Sequence, residues 1–453
     1  MLALLEGFNM NALKISFWGT LLALTALWLL ADTFIPEPLT YFSFRSVFIQ
    51  YTGIIAIGAM SIAMLLTMRS TWMEKQLHGL DKMYRLHKWL GIAALVTATL
   101  HWWWATGTKW MVGWGWLTKP ERNKLSPEAL PTLEQWLRDQ RHLAESLGEW
   151  AFYAAVILII LALIKRFPYH LFRKVHYWIA VAYLVLVFHT LVLTKLDYWL
   201  QPIGLVTALL LISGTLSALL VLTGRVGQGR KTQGVVDSLT YYPDLKVIEC
   251  TIDVNPDWKG HMPGQFAFVT SKKREGAHPY TIASAWDAEQ HTLTFITKEL
   301  GDWTSRLRDW LKVGLPVTVE GPYGCFDFRD RCSHQIWVGA GIGITPFIAR
   351  MKYLAKTPGT QNIDLFHATS DFDQTAIDKL CADAKAAGVN LHLIVTPKDG
   401  RLTPEKIREA VPNWRSASLW YCGPMALGQL LRKDFKAKGV ASKDFHQELF
   451  DMR

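Results

Sequence analysis

The apolar positions of the chain are unevenly distributed, and nearly all of the long apolar runs lie before Thr223. Six of these runs are each close to the ~20 residues that a helix needs to cross a bilayer. They cover residues 12–31, 47–68, 84–106, 147–164, 175–194 and 202–223. The pattern therefore predicts six membrane-spanning helices. The first is predicted to be retained, because its apolar run is too long for a signal peptide and no small-residue cleavage site follows it.

The periodicity changes after the basic, glycine-containing segment 225–231. Short alternating runs at 247–254, 265–270 and 292–297 are bounded by glycine and proline, which is typical of antiparallel strands. From about residue 332, strand candidates alternate with helix candidates, which predicts βαβ units and a parallel sheet. The strand candidates are 335–338, 363–367, 389–395 and 418–422, and the helix candidates are 346–356, 374–387, 404–411 and 425–438.

Together these patterns predict a multidomain protein, which suits a chain of 453 residues. Residues 1–224 are expected to form a six-helix transmembrane bundle, and residues 225–231 a linker. An antiparallel β-barrel is expected over 232–331, followed by an α/β domain with a parallel sheet over 332–453.

Positive charge is concentrated in alternate short loops between the predicted spans. The chain has 48 Lys and Arg against 38 Asp and Glu, a formal net charge of +10. Arg69, Lys75, Lys82 and Arg85 follow the second span, and similar clusters follow the fourth and the sixth. Because basic loops stay on the cytoplasmic side, both termini are predicted to be cytoplasmic and the long loop 107–146 external. The basic balance is thus explained by topology and does not indicate nucleic-acid binding.

Two of the predicted spans each carry a histidine near both ends. His87 and His101 lie 14 residues apart, and His176 and His189 lie 13 residues apart. A neutral imidazole in hydrocarbon is costly unless its nitrogens find partners, so four at matching depths call for one explanation. We predict that His87 and His176 bind one haem iron and that His101 and His189 bind a second. The alternative is that the histidines form hydrogen bonds between helices.

The spacing of the histidines suits the first of these spans better than the second. Fourteen residues span about 21 Å and leave His87 and His101 within roughly 40° of one helix face. Thirteen residues leave His176 and His189 roughly 140° apart on an ideal helix. A bend, a π-bulge or a tilt is therefore expected in the second span.

The positions of the cysteines argue against structural disulfides and against covalent attachment of haem. All five lie after the sixth span, at Cys250, Cys325, Cys332, Cys381 and Cys422. None is in a predicted external loop, so no structural disulfide is implied. The chain has no CxxCH sequence, so haem is expected to be held without thioether bonds.

Two motifs in the second half of the chain are suited to cofactor binding. The sequence Gly339-Ala-Gly341-Ile-Gly343-Ile-Thr345-Pro346 follows an apolar strand and opens a helix, which lets backbone amides approach a pyrophosphate. In His278-Pro279-Tyr280-Thr281, the tyrosine offers a flat face and the threonine a hydroxyl donor, and an isoalloxazine ring needs both. The alternative for this second motif is an ordinary exposed strand end.

The order of these motifs resembles that of a known family. Besides the histidine pairs and the two motifs above, the chain contains Gly301-Asp-Trp303-Thr304, Glu320-Gly-Pro-Tyr-Gly324, Cys422-Gly423-Pro424 and an aromatic residue near the C-terminus. The second half resembles the ferredoxin–NADP reductase superfamily. The whole chain looks like the ferric reductase and NADPH oxidase superfamily of transmembrane reductases.

The resemblance implies a role for each matching residue. The axial ligands of two b-type haems would be His87, His101, His176 and His189. The FAD ring and phosphates would be held by His278, Pro279, Tyr280 and Thr281, and the segment near the FAD pyrophosphate would contain Gly301, Trp303 and Thr304. NADPH or NADH would be bound by Gly339, Gly341, Gly343 and Thr345.

The resemblance also implies which residues surround the reacting rings. The nicotinamide side of the cleft would be lined by Cys422, Gly423 and Pro424, and Phe450 would cover the flavin until nicotinamide displaces it. Tyr280, Thr281, Cys422 and Phe450 are thus the predicted catalytic residues. The chain departs from many relatives at its end, because Asp451, Met452 and Arg453 follow Phe450.

The implied function is electron transfer from cytoplasmic NAD(P)H through FAD and two haems to an outer acceptor, in a protein of the bacterial inner membrane surrounded by lipid. A ferric chelate is the favoured acceptor, and dioxygen or a periplasmic partner protein is the alternative. A six-span channel with a nucleotide-sensing domain is a further alternative, and it predicts no haem. No arginine stands among Ala368, Thr369, Ser370 and Asp371 to meet a 2′-phosphate, which favours NADH, although Lys398 or Arg401 could serve instead.

Overall fold

The computed structural model describes residues 11–118, 120, 132–164 and 169–448, and these residues belong to two compact units. The helical unit consists of Leu13–Ser70 and Met83–Val226. The sheet unit consists mainly of Thr71–Lys82 and of the chain from Gly227 to Glu448. The division after Val226 lies inside the segment 225–231.

Eight helices precede the first strand in the described part of the chain. They are α1 (Asn11–Leu29), α2 (Tyr41–Leu66), α3 (Thr71–Gln76), α4 (Leu80–Gly113), α5 (Thr132–Leu163), α6 (Tyr169–Leu193), α7 (Leu196–Trp199) and α8 (Pro202–Leu222). A capping box fixes the start of α2, because the Thr40 hydroxyl accepts from the Ser43 N–H and the Ser43 hydroxyl accepts from the Thr40 N–H. α8 begins at Pro202, where a missing N–H costs nothing.

Five of these helices are long and apolar enough to cross a membrane, which makes the chain an integral membrane protein. The apolar segments are Ala12–Leu29, Tyr41–Leu66, Leu133–Leu163, Leu171–Leu193 and Pro202–Leu222. The third predicted span lies within α4, which is helical over 34 residues but is not among the five. The sixth crossing therefore remains a prediction.

α5 differs from the expectation drawn from the sequence. An external loop over 107–146 and a separate span over 147–164 were expected, but Thr132–Leu163 is one continuous helix. Residues 119 and 121–131 of that loop lie outside the described residues. The polar half continues into the apolar half because it contains no proline and is supported by the ion pairs Arg138–Glu134 (2.8 Å) and Arg141–Glu145 (3.0 Å).

Small residues allow close packing inside the helical unit. α5 packs along α6, and α8 packs against both α2 and α6. Gly214 of α8 lies against the fully buried Tyr183 of α6, whose hydroxyl is 2.8 Å from the Ser61 hydroxyl of α2. The outer side of α8 instead exposes a stripe of apolar side chains, which suits contact with lipid; it consists of Leu205, Leu209, Ile212 and Leu216.

Six strands of the sheet unit form an antiparallel sheet. They are β1 (Lys231–Tyr242), β2 (Val247–Val254), β3 (Phe266–Thr270), β4 (His278–Thr281), β5 (Thr292–Lys298) and β6 (Pro316–Tyr323), in the order β4-β3-β6-β1-β2-β5. An isolated bridge between Ile282 and Phe295 links the segment after β4 to β5. A short helix, α9 (Leu307–Trp310), lies between β5 and β6. The buried side chains alternate along β1 and β2, as a sheet with one face in the core requires.

A second sheet of five parallel strands follows, as the alternation of strands and helices predicted. Its strands are β7 (His334–Ala340), β8 (Asn362–Thr369), β9 (Asn390–Val395), β10 (Ser418–Cys422) and β11 (Phe445–Glu448), in the order β11-β10-β7-β8-β9. The helices are α10 (Thr345–Lys356), α11 (Gln374–Ala387), α12 (Thr396–Asp399), α13 (Pro404–Ala410) and α14 (Met425–Ala437). Separate apolar clusters cover the two faces of the sheet, one with α10 and α11 and the other with α13 and α14. β11 was not predicted from the sequence.

Candidate functional site

The helical unit brings the four membrane histidines together in the two predicted pairs. The ring centroids of His87 and His176 are 5.8 Å apart, with an interplanar angle of 66°. Those of His101 and His189 are 6.2 Å apart, with an angle of 76°. α6 is α-helical throughout, from Tyr169 to Leu193, and contains no π-bulge. Of the three expected ways to bring both of its histidines to α4, a bend, a π-bulge or a tilt, the π-bulge is therefore not used.

Three of the four imidazoles are fixed through Nδ1 by a backbone carbonyl group. The Nδ1 atom of His87 lies 2.8 Å from the Ala63 oxygen, that of His101 lies 2.9 Å from the Ile49 oxygen, and that of His189 lies 2.8 Å from the Ala144 oxygen. A carbonyl oxygen only accepts, so Nδ1 carries the proton in each ring. The tautomer leaves the Nε2 lone pair available, which is the usual arrangement of a metal-binding histidine.

His176 is held in a different way. Its ring stacks on Phe172, with centroids 5.1 Å apart, and its buried Nδ1 atom has no hydrogen-bond partner among the described residues. The orientation of this ring is therefore set by packing rather than by a carbonyl group. A metal bond at Nε2 would help to offset the cost of burying an imidazole with an unsatisfied nitrogen.

Two glycines make room for the second histidine pair. A Cβ atom on Gly148 of α5 would lie 1.9 Å from Nδ1 of His189, and one on Gly53 of α2 would lie 3.3 Å from the ring of His101. Gly148 was not singled out from the sequence, where it resembles any small residue in an apolar helix. Its role is visible only once α5 is seen beside α6.

The histidine pairs fit iron. Bonds of about 2 Å from a metal to each imidazole nitrogen would place the centroids of two axial rings roughly 6 Å apart, because each centroid lies about 1 Å beyond its nitrogen. The observed separations of 5.8 and 6.2 Å agree with that value. Three of the rings do form hydrogen bonds between helices, as the alternative explanation expects, because each Nδ1 atom meets a backbone carbonyl group of a third helix. These bonds do not account for the close approach of the two rings within each pair.

The predicted flavin-binding residues lie on β4 and on the loop after β5. His278 stacks on Trp303, with centroids 5.6 Å apart and an angle of 16°, so the structure brings these two predicted residues together. Tyr280 meets Phe295 edge to face at 6.3 Å. The buried hydroxyl of Thr281 has no hydrogen-bond partner within the described part of the chain, which fits the polar edge of a flavin ring. Pro279 lies between His278 and Tyr280 on β4.

The loop predicted to lie near the FAD pyrophosphate is closed by one of its own side chains. The Thr304 hydroxyl accepts hydrogen bonds from the N–H groups of Leu300 (2.9 Å) and Gly301 (3.0 Å). Trp303 is buried in the core of the antiparallel sheet. In this conformation Thr304 orders the loop. The N–H groups of Leu300 and Gly301 are occupied by its hydroxyl and do not face a ligand.

The glycine turn (residues 339–345) lies at the carboxyl end of β7, directly before α10. Gly341 has a φ of 55°, a left-handed conformation that glycine adopts without steric cost. A Cβ atom on Gly343 would lie 2.2 Å from the Cys422 oxygen, so only glycine permits this approach to β10. The Thr345 hydroxyl donates to the Ile342 oxygen at 2.8 Å and ties the turn to the first turn of α10. The predicted coenzyme residues are thus brought together.

Cys422, Gly423 and Pro424 follow β10, beside that turn. Gly423 has a φ of 152°, and a Cβ atom there would lie 2.8 Å from the Cβ of Ala340. Burial raises the pKa of the Cys422 thiol well above its ordinary value, and the nearby Glu448 carboxyl acts in the same direction. The thiol is therefore protonated at neutral pH and offers a compact neutral surface rather than a thiolate.

Glu448 lies beside the predicted site residue Cys422 and was not singled out from the sequence. It is paired in register with Cys422 across the parallel strands β10 and β11, and its Oε2 atom has no hydrogen-bond partner in the described residues. Burial raises the pKa of Glu448 to about 8, and the Asp81 carboxyl adds to the effect. Neither the short run 445–448 nor its polar composition indicates a strand, so periodicity gave no signal. Phe450, the predicted flavin cover, lies outside the described residues.

Family comparisons agree with this arrangement. The family described as "Ferric reductase like transmembrane component" matches residues 52–187, and an FAD-binding domain family matches residues 235–326. The chain is a ferric-reductase-like transmembrane flavoprotein. The resemblance stated from the motifs is thereby confirmed. The first match contains three of the four histidines and ends before His189, and the second contains β4 and the loop at Gly301.

Individual relatives match parts of the chain. It is 26% identical over 335 residues to the probable ferric reduction oxidase 1 of Arabidopsis thaliana, covering 70% of this chain and 41% of that protein. It is 28% identical over 216 residues to an NADPH oxidoreductase of Mycobacterium tuberculosis, covering 44% and 56%. The chain spans about half the length of such curated relatives. An Amycolatopsis cytochrome P450 reductase structure aligns with 49% of the chain and 70% of its own, at 20% identity and a TM-score of 0.43.

Proposed function

We propose that the chain is a transmembrane oxidoreductase that moves electrons from cytoplasmic NAD(P)H, through FAD and two b-type haems, to an acceptor on the outer side of the membrane. The observation that carries the proposal is the pair of facing imidazoles at each end of α4 and α6, with centroid separations that suit one iron each. The six membrane crossings and the cytoplasmic termini belong to the same proposal.

The chain's own residues prepare each of the cofactor positions. When bound, FAD supplies the step from hydride transfer to single electrons, and the haems supply redox centres inside the apolar slab. The carbonyl groups of Ala63, Ile49 and Ala144 orient three of the ligand rings with Nε2 free. Thr281 offers an unsatisfied hydroxyl on the flavin side.

On the donor side, the proposal assigns binding rather than acid–base chemistry to the protein. The glycine turn offers backbone amides to the coenzyme pyrophosphate at the start of α10. Cys422 is buried and protonated, so it positions the nicotinamide ring through packing and removes no proton. Glu448 is neutral over most of the physiological pH range and adds no charge beside the reacting rings.

A ferric chelate is the acceptor that the comparisons favour. The probable ferric reduction oxidase 1 of Arabidopsis thaliana aligns with this chain over 335 residues, more than either half of the chain contains. Dioxygen reduced to superoxide, or a periplasmic protein partner, would use the same outer haem. Ferric reduction that persists with superoxide dismutase present supports the chelate, and cytochrome c reduction abolished by that enzyme supports dioxygen.

The test of the proposal is the absorption spectrum of the purified full chain. A reduced-minus-oxidised spectrum should show low-spin b-type haem, with two haems and one FAD per chain, and NAD(P)H should reduce both kinds of cofactor. A colourless protein, despite correct membrane insertion and sufficient haem supply, would overturn the proposal in favour of a channel or a nucleotide sensor.

A further inference from the structure

Positive charge is concentrated in two segments of the sheet unit. The first is the loop between β3 and β4, residues 271–276, and the second runs through α9 over residues 306–314. Together they contain two acidic residues, Glu275 and Asp309, and six basic ones, which are Lys272, Lys273, Arg274, Arg306, Arg308 and Lys312. None of the six forms an ion pair with another described residue, so their charges are available to a partner outside the chain.

Contacts of Trp310 join the two segments into one surface. Its Nε1–H donates to the Ser271 oxygen at 3.2 Å, and the Lys272 ammonium lies 4.1 Å from the centre of its ring. Leu307 of α9 is buried in the core of the antiparallel sheet, which fixes the charged side of this helix outward. We call residues 271–276 and 306–314 the basic face. Its exposed cations are Lys273, Arg274, Arg306, Arg308 and Lys312.

The basic face also presents apolar side chains. Val313 is 65% exposed, and the ring of Trp310 is only partly buried. Cations around exposed aliphatic and aromatic side chains are typical of protein surfaces that lie on a bilayer. On such surfaces the apolar groups enter the headgroup region, and lysine and arginine are attracted to anionic headgroups. The composition of the basic face therefore fits a lipid surface that carries negative charge.

The chain keeps the sheet unit within reach of lipid. Five helices make the chain an integral membrane protein, and α8 ends at Leu222. Only residues 223–226 separate that end from Gly227, where the longest segment of the sheet unit begins. Extended chain spans about 3.5 Å per residue, so this connection reaches at most about 14 Å. Because the tether keeps the local concentration of headgroups high, a weak affinity is sufficient for docking.

We propose that the basic face docks on the anionic headgroups of the membrane in which the chain resides, with Trp310 and Val313 at headgroup level and the surrounding cations paired with lipid phosphates. The inference goes beyond the proposed function, because it requires a bilayer but neither haem nor coenzyme. The loop between β3 and β4 leads directly into His278. Docking therefore holds the predicted flavin-binding strand near the membrane surface.

A spin label on Val313→Cys measures whether the face meets lipid. The variant is made in the full chain with Cys325, Cys332 and Cys381 replaced by serine, since these are the cysteines that are not buried. The labelled protein is placed in nanodiscs of phosphatidylcholine, with or without phosphatidylglycerol. With the anionic lipid, collisions of the label with oxygen should rise severalfold relative to collisions with a water-soluble nickel chelate. Salt at about 1 M should reverse this rise, because it screens charges beyond about 3 Å.

The control for the label position is Val235→Cys. Val235 is another exposed valine of the sheet unit, at 45%, but its cross-strand neighbour on β2 is Asp253. A label there has a carboxylate beside it instead of cations. It should therefore remain in water with either lipid.

The control for charge compares two triple variants with the same change in net charge. Reversal of three cations of the basic face should abolish the rise at residue 313; the changes are Lys273→Glu, Arg274→Glu and Lys312→Glu. Reversal of three exposed lysines elsewhere in the unit should preserve it; these changes are Lys259→Glu, Lys385→Glu and Lys433→Glu. Circular dichroism of both variants checks that the fold is intact.

Three results would overturn the inference. The first is an unchanged collision ratio at residue 313 when phosphatidylglycerol is added to the nanodiscs. The second is an equal response of the two triple variants, which would mean that net charge rather than the basic face is responsible. The third is immobilisation of the label without more frequent oxygen collisions, which would mean that protein, such as a second copy of the chain, covers the face.

Discussion

At the scale of single residues, the orientation of the ligand histidines is determined by atoms that lie far from them in sequence. The orientation of the His101 ring is set by a hydrogen bond to the Ile49 oxygen, and that of the His189 ring by a hydrogen bond to the Ala144 oxygen. Spacing along a helix predicts that two rings lie at matching depths, but it does not specify which nitrogen faces the partner ring. The carbonyl contacts supply part of that missing information, because they assign the proton to Nδ1 and leave the Nε2 lone pair available.

His101→Ala should remove the haem of the second pair and keep that of the first. Haem per chain should fall from two to one, reduction of external acceptors should be abolished, and NAD(P)H oxidation with a soluble dye should continue, because the flavin and coenzyme residues are untouched. Pyridine haemochrome analysis measures the haem count.

The matched control for that variant is His142→Ala. His142 is an exposed histidine of α5 and belongs to neither pair, so both haems should remain. A His101→Ala protein that still contains two haems would show that another side chain holds the second iron and that the ligand assignment is wrong.

Glu448 gives the sheet unit a pH dependence with a definite sign. Its pKa in the folded chain is about 8, above the ordinary glutamate value of 4.5, so the folded state binds this proton more tightly than the unfolded state. The contribution of this proton to the free energy of unfolding is fully present below pH 4.5. It is lost progressively as the pH rises through 8. The free energy of unfolding should fall by roughly 2–3 kcal/mol between pH 6 and pH 9.

Glu448→Gln tests this directly, since glutamine has the same shape and does not titrate. The decline in thermal midpoint of the full chain from pH 6 to pH 9 should be smaller in the variant than in the unmodified protein. Equal slopes would mean that Glu448 is ionised at neutral pH and that its burial is compensated by a partner.

At the scale of secondary structure, periodicity predicted most elements and failed where tertiary contacts decide. The strands β7 to β10 and the helices α10, α11 and α13 match the sequence prediction closely, whereas the short helix α12 was not predicted. β11 was missed, since His446 and Gln447 give it no apolar alternation and its pairing with β10 is what makes it a strand. The break expected near Leu147 was wrong, because nothing in the sequence ends the helix there.

The residues of the site were predictable to the extent that they belong to local motifs. The glycine turn, the segment at His278 and the histidine pairs have fixed spacings, so they were found. The ion pair between Lys298 and Asp371, beside the glycine turn, was not recognised, because 73 residues separate the two and each is ordinary by itself. Gly148 and Glu448 were missed for the same reason, since their importance lies in a neighbour from another element.

The start of α11 depends on Asp373, whose carboxylate accepts from the Ala376 N–H at 2.9 Å. Asp373→Ala removes this N-cap and should lower the free energy of unfolding by about 1 kcal/mol. Denaturant unfolding of the sheet unit within the full chain, followed by flavin fluorescence, measures the loss.

The effect of Asp373→Ala should be confined to stability. The variant should leave kcat/KM for the nicotinamide coenzyme unchanged, because Asp373 is not among the residues that line the cleft beside the glycine turn. A changed kcat/KM would mean that the start of α11 also positions the coenzyme.

At the scale of the whole molecule, the membrane topology depends on α4. If α4 stays on the cytoplasmic side, five crossings carry the sheet unit to the outer side, away from cytoplasmic NAD(P)H. If α4 crosses, six crossings keep that unit in the cytoplasm. Between Lys88 and Lys109, none of the intervening residues of α4 is Asp, Glu, Lys or Arg, and their ~20 positions match a bilayer. This charge-free stretch is less apolar than the other five segments because it contains His101 and four tryptophans, which do not prevent a crossing.

The two arrangements place Trp116, just beyond α4, on opposite sides of the membrane. In intact spheroplasts, a membrane-impermeant maleimide should label Trp116→Cys, made in a background where the exposed Cys381 is replaced by serine. Leu39→Cys, between α1 and α2, is external in both arrangements and is the positive control, while Gly229→Cys should react only after lysis. If Trp116→Cys is protected in intact cells while Leu39→Cys is labelled, α4 does not cross. His87 and His101 could not then be at opposite depths of the membrane, and the proposed route for electrons would be lost.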